Sequence, residues 1–138
     1  MNTTIKLDKK THDSAHNSKQ ACKFQKLSDI LADHGFMTIR LSNDWRNTDF
    51  IALQINGTRF FKVHLKKRLY FSKNYAGKNI YIAFPTDNIW YFYPHDETLA
   101  FLLQEATAGT TGSWKENGVY QFHTMSADIW QLMAKYRL

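Results

Sequence analysis

The sequence predicts an α/β (α+β) domain in which a mixed central sheet is flanked by helices. Three observations predict it. Apolar residues recur at helical spacing through 17–34 and in two later segments; aromatic-rich runs such as "RFF", "RLYF", "NIYIAF" and "IWYFYP" crowd the middle of the chain, as packed strands do; and Asn56-Gly57 separates two strand-like runs.

Residues 1–16 are polar and unpatterned, so they are expected to form a mobile arm with His12 and His16 solvated, ahead of one domain over 17–138. In 17–34 a helix would place Ala21, Phe24, Leu27, Ile30 and Leu31 on one face, and Gly35 supplies its stop. "FMTIRL" reads as the first strand, "SNDWRNT" as a polar connection, the run from Asp49 as the second strand and "RFFKVHLKKRLYF" as one long third strand. The basic loop "SKNYAGK" is too short for a crossover helix, which predicts that "NIYIAF" adds antiparallel or that the core is locally rearranged. "IWYFYP" follows as a fifth strand. A helix from Pro94-His95-Asp96-Glu97 would turn Leu99, Leu102 and Leu103 inward; "AGTTGSWKENG" is a loop, "VYQFHTM" a sixth strand, and Ser126 caps a last helix carrying Ile129, Trp130, Leu132 and Met133. The expected order is α-β-β-β-β-β-α-β-α.

With 18 Lys+Arg against 12 Asp+Glu, the 138-residue chain carries a formal charge of +6 and attracts polyanions, nucleic acid first among them. Charge alone does not separate DNA from RNA or from an anionic membrane surface. Cys22 is the only cysteine, which excludes an intrachain disulfide framework and a multi-cysteine zinc site and suits a reducing compartment. No signal-peptide-like run opens the chain and no apolar stretch approaches the roughly 18 residues of a membrane span, so a cytoplasmic protein without membrane attachment is expected. P-loop, dinucleotide-fingerprint, nucleophile-elbow and HExxH patterns are absent from the sequence.

The segment "TDFIALQINGTRFFKVHLKKR", residues 48–68, carries the chemistry. Asn-Gly favours a two-residue type I′ turn, because both central residues must take positive φ. With 55 facing 58, Leu53 pairs with Phe60, Ile51 with Lys62 and Asp49 with His64, and Lys66 lies diagonally beside Asp49. Phe50, Ala52, Phe61, Val63 and Leu65 form the opposite, apolar face. An acid, a potential ligand and a lysine at one end of a hairpin suit metal-assisted phosphodiester cleavage. They suit equally a cross-strand charge pair on a solvated face, the commoner use of such residues.

The pieces "TDFIA" and "KVHLKKR", with 14 residues between "TD" and "HLK", resemble the PD-(D/E)xK nuclease superfamily. In element order the resemblance covers roughly residues 17–84, and bacterial nuclease-like proteins with a "DW…ADF…VQLK…YPHDE" layout extend it through "YPHDE" at 93–97. It implies a restriction-endonuclease-like core and hydrolysis of DNA with a divalent metal, magnesium or manganese. Carried over by position, Asp49 is the metal acid, Lys66 the catalytic lysine, and His64 a substitute metal ligand where the family has Glu, Asp or Gln. An imidazole there suits manganese or another transition metal better than magnesium. The acid that many members carry on the first helix is missing; Gln20 is the nearest polar residue. Small nucleases of this type often form homodimers, although no motif here fixes an interface. The alternative is a nuclease fold without catalysis that binds nucleic acid or a protein partner.

Arg59, Lys62, Lys67, Arg68, Lys73 and Lys78 would hold the phosphate backbone, or equally protect a strand edge. "PHDE" reads more readily as a helix start than as a metal site, His34 as a helix-end charge or solvated group, and His123 has no partner nearby in sequence. Trp90, Trp114 and Trp130 read as core or core rim, whereas Trp45, between Asp44 and Arg46, could also line a substrate groove.

Overall fold

The computed structural model describes residues 12–41, 49–105, 118–122 and 124–138. Its elements are α1 (His12–Asp33), β1 (Phe36–Arg40), β2 (Asp49–Gln54), β3 (Phe60–Leu65), β4 (Tyr70–Ser72), β5 (Ile80–Thr86), β6 (Ile89–Pro94), α2 (His95–Glu105), β7 (Val119–Gln121) and α3 (Ala127–Met133). The "SNDWRNT" connection with Trp45, most of the "AGTTGSWKENG" loop with Trp114, and His123 lie outside the described residues. The α/β (α+β) class holds: five strands form a mixed sheet in the order β1-β2-β3-β5-β6, and β4 pairs with β7 in a small second sheet.

Helix α1 begins at His12, within the segment expected to be an arm, and ends where Gly35 takes φ +84. Its apolar stripe closes one face of the sheet. Leu27 and Leu31 pack against Phe50, Ala52, Val63 and Leu65, the apolar layer that strand alternation places there. Gln20 is buried on the same side of α1.

The β2–β3 register is the expected one, with Asp49 opposite His64, Ile51 opposite Lys62 and Leu53 opposite Phe60. The turn is not. Neither Asn56 nor Gly57 has positive φ; the Ile55 N–H is drawn to the Gly35 carbonyl at 2.9 Å, and the wider loop closes through Gln54 N–H to Arg59 O at 2.9 Å. Gly57 sits close to the Gln54 side chain, whose Oε1 would have to swing aside from an added Cβ 2.7 Å away. The type I′ geometry appears between β5 and β6, where Asp87 and Asn88 take φ 48 and 67 between the paired Thr86 and Ile89.

The expected long third strand breaks at Lys66-Lys67-Arg68. Three successive cations cannot alternate into an apolar core, so the chain leaves the sheet there and re-enters burial at Leu69 and Phe71. This break corrects the expected antiparallel addition. The link from β3 to β5 now runs over 66–79, long enough for a crossover, and β5 pairs parallel to β3 with His64 opposite Ile82.

The second face of the sheet is covered over β5 and β6 by α2, α3 and the small sheet, around Phe71, Ile82, Phe84, Tyr93, Leu102 and Met133. Leu103, expected to face inward, is 42% exposed, while Leu102 is buried and Leu99 half-buried. Ser126 caps α3 as expected, its Oγ accepting the Ile129 N–H. Over β1–β3 the same face is less covered, leaving Met37, Ile39 and Phe60 exposed. No described helix is long and apolar enough to cross a membrane.

Candidate functional site

Asp49 and His64 project from the sheet face opposite α1, at the point where β3 ends. Their side chains meet with His64 Nδ1 2.6 Å from Asp49 Oδ1, the carboxylate accepting a charge-assisted hydrogen bond. Burial lowers the His64 pKa, with Lys66 and Lys62 adding to the effect and Asp49 opposing it. The ring is therefore neutral at pH 7, with its proton on Nδ1. Its Nε2 is buried and has no hydrogen-bond partner among the described residues.

This has a measurable consequence. The folded chain protonates His64 less readily than the unfolded chain does, so between the lowered value and the ordinary 6.5 the unfolded state binds more protons. The His64 contribution is complete above that ordinary value and is lost as pH falls through the window. Thermal melts between about pH 7.5 and about pH 5 should show stability falling with acid, and His64→Gln should flatten that slope. An unchanged slope would contradict the assignment.

Lys66 follows β3 directly, its N–H bonded to Ala83 O at 2.8 Å. Its ammonium lies 4.4 Å from the Tyr70 ring centre and 5.4 Å from that of Tyr75. Tyr75 in turn lies against the His64 imidazole, with ring centres 4.7 Å apart. One aromatic side chain thus touches both His64 and the lysine. Burial, reinforced by Asp49, raises the Tyr75 pKa and keeps its phenol neutral.

Tyr75 is held in place by the start of α2. The fully buried His95 accepts the Ser72 N–H through Nε2 at 3.0 Å, which leaves Nδ1 as the donor to Asp96 Oδ1 at 2.9 Å. Asp96 Oδ2 accepts the Gly77 N–H at 2.9 Å. Burial works against ionisation of Asp96, but the bonds from His95 and Gly77 outweigh it and its pKa is lowered. Together the two side chains clamp Ser72 and Gly77, on either side of Tyr75. "PHDE" is a helix start, as its residues predict, and also the fastening of the crossover. His95→Ala would strand the buried Ser72 N–H, a loss of about 1–3 kcal/mol. A urea melt of this variant within error of the wild type would show that the clamp is not made.

The predicted cations separate into two groups. Lys62 shares the face of His64, while Lys67, Arg68, Lys73 and Lys78 follow it in the crossover, all exposed except the half-buried Arg68. Arg59 stands apart, at the hairpin tip about 17 Å along the strand from His64, with its guanidinium over the Phe61 ring on the α1 side. It is not brought to the site.

No family model, curated protein or solved structure matches the chain.

Among the described residues no three His, Cys, Asp or Glu side chains come together as a metal-binding group. Asp49 can anchor an ion whose other positions are filled by phosphate oxygens and water, as magnesium and manganese accept. Two donors on one such ion stand roughly 3 Å apart at right angles; the 2.6 Å pair has hydrogen-bond spacing instead. His64 thus serves first as the donor that orients Asp49, and its Nδ1 joins Asp49 on the same ion only if the Nδ1 proton moves to Nε2. Gln20 lies on the α1 side of the sheet, away from the face of Asp49. Sequence reasoning missed Tyr70, Tyr75 and the His95–Asp96 clamp, whose only signal was the "YPHDE" string.

Proposed function

We propose that the chain is a PD-(D/E)xK-type nuclease that hydrolyses phosphodiester bonds of DNA with a divalent metal. What supports the reading is the Asp49–His64 pair at the end of β3, with the Lys66 ammonium reaching the same Tyr75 that lies on the His64 ring, in a β1–β2–β3 antiparallel meander continued by a parallel strand. Asp49 anchors the ion. His64 fixes the carboxylate, and Tyr70 and Tyr75 hold the Lys66 ammonium for a phosphoryl oxygen or the attacking water. The ion, when bound, supplies Lewis-acid polarisation of the phosphoryl group and an acidified water. Lys62, Lys67, Arg68, Lys73 and Lys78 supply the salt-sensitive hold on the backbone.

A second reading has its own support: the Asp49 carboxylate is spent on His64, and among the described residues no further acid joins it in a metal-binding group, which favours a nuclease fold that binds nucleic acid without cutting it. Plasmid and oligonucleotide substrates titrated with magnesium and manganese separate the two. Metal-dependent cleavage lost in Asp49→Ala and Lys66→Ala supports the nuclease. Salt-sensitive binding that survives both substitutions, with no cleavage under either metal, supports the binding module.

A further inference from the structure

Two cavities adjoin where the chain leaves the main sheet, and they share Lys67 and Arg68 as a common wall. One, of about 270 Å³, is cationic: Lys66, Lys67 and Arg68 line it with Tyr70 and Gln121. The other, of about 250 Å³, combines Phe84, Phe122, Met125 and Trp130 with Thr86 and the shared Lys67 and Arg68, so polar and apolar groups mix in its wall. Phe84 and Phe122 are buried floor residues, whereas Met125 and Trp130 are half-buried.

We propose that this pair of cavities binds one unpaired nucleotide of the nucleic-acid strand, its phosphate in the cationic cavity and its base in the aromatic one. The inference rests on the nucleic-acid reading above and adds the class of strand. Each cavity alone falls below the roughly 300–1,000 Å³ of a typical small-molecule site, so the pair suits a single nucleotide divided between its charged and its apolar parts. The lysines of the first cavity take a phosphate, and in the second the half-buried Trp130 is the ring with area left for a base, since Phe84 is stacked on Tyr91 and Phe122 packs edge to face with Tyr120. Lys66 lines the phosphate cavity and also belongs to the Asp49 site, so the captured nucleotide neighbours the phosphodiester presented there. A base paired within a duplex cannot enter a walled cavity without leaving its stack, and extrusion costs a few kcal/mol. Single strands, flaps and frayed ends are therefore the preferred ligands.

The test is binding in the presence of chelator, so that no strand is cut. Anisotropy titrations compare a short labelled single strand, an abasic strand with the same number of phosphates, and a blunt hairpin duplex. The expected result is that the base-bearing strand binds about tenfold more tightly than the abasic one, and more tightly than the duplex. Trp130→Leu should bring the two strands toward equal affinity, and Met125→Ala provides the same comparison should the first variant melt early. Lys67→Ala should weaken both strands alike and reduce the salt slope by about one unit. Equal affinity of the base-bearing and abasic strands in the wild type, or duplex binding as tight as single-strand binding, overturns the inference. If Asp49-dependent cleavage persists in that case, the nuclease reading stands alone. If none of the three ligands binds even at low salt, the inference fails, and metal-dependent cleavage alone decides the nuclease reading.

Discussion

Lys66→Ala is expected to lower metal-dependent cleavage by about 100- to 1,000-fold, the usual cost of removing one preorganised donor from a developing charge. The fold should survive it. Lys66 sits at the half-exposed end of β3, and its contacts with Tyr70 and Tyr75 are cation–π contacts worth about 0.5–1 kcal/mol each near a surface. A small drop in melting temperature with a large drop in turnover is therefore the signature. Lys66→Arg separates charge from shape: it keeps the cation over the two rings but replaces a compact ammonium by a planar fork, and it should recover binding better than turnover. Cleavage within a few-fold of wild type in Lys66→Ala would remove the lysine from the proposed chemistry.

Phe50→Ala is expected to cost about 3–5 kcal/mol. Phe50 is fully buried next to Asp49, and its ring meets Phe24 of α1 edge to face with centres 5.1 Å apart. The substitution opens a cavity between α1 and the sheet on the side opposite the site. Typical domains have only about 5–15 kcal/mol of stability, so a loss of this size takes a large share of it. Urea unfolding should show the midpoint falling sharply with little change in slope. A shift below about 1 kcal/mol would mean that α1 does not pack on β2 as described.

What the sequence disclosed, and what it withheld, divides along physical lines. Alternation and helical spacing are local, and they located α1, the β2–β3 hairpin, α2 and α3, while the pairing of Asp49 with His64 was counted from an Asn-Gly turn that takes another form. The register survived an incorrect turn type because one buried face, Phe50, Ala52 and Val63, fixes it without help from the loop. The break after Leu65 was hidden because "KVHLKKRLYF" has strand-forming residues on both sides of the cations. Only the partner strand β7, about fifty residues later, draws Tyr70–Ser72 into a separate sheet. The parallel pairing of β5 followed from that break and was equally out of reach. Tyr75 and His95 were missed for the same reason: their meeting depends on the path of the crossover, which no local pattern encodes.

His64 remains the residue that distinguishes this site from the pattern it resembles. His64→Glu would place a second carboxylate against Asp49 at a half-buried position, and two like charges there repel until a cation lies between them. The variant should melt lower than wild type in chelator and recover with magnesium, the hard ion that an all-oxygen pair favours.

The most direct measurement is cleavage of a labelled oligonucleotide as a function of manganese and magnesium concentration, run side by side for wild type and Asp49→Ala, with thermal melts of both. The account predicts saturable, metal-dependent cleavage by the wild type and a loss of at least about 100-fold in a cooperatively folded Asp49→Ala. A wild type that cuts nothing under either metal, or an Asp49→Ala variant that cuts as well as wild type, would contradict it.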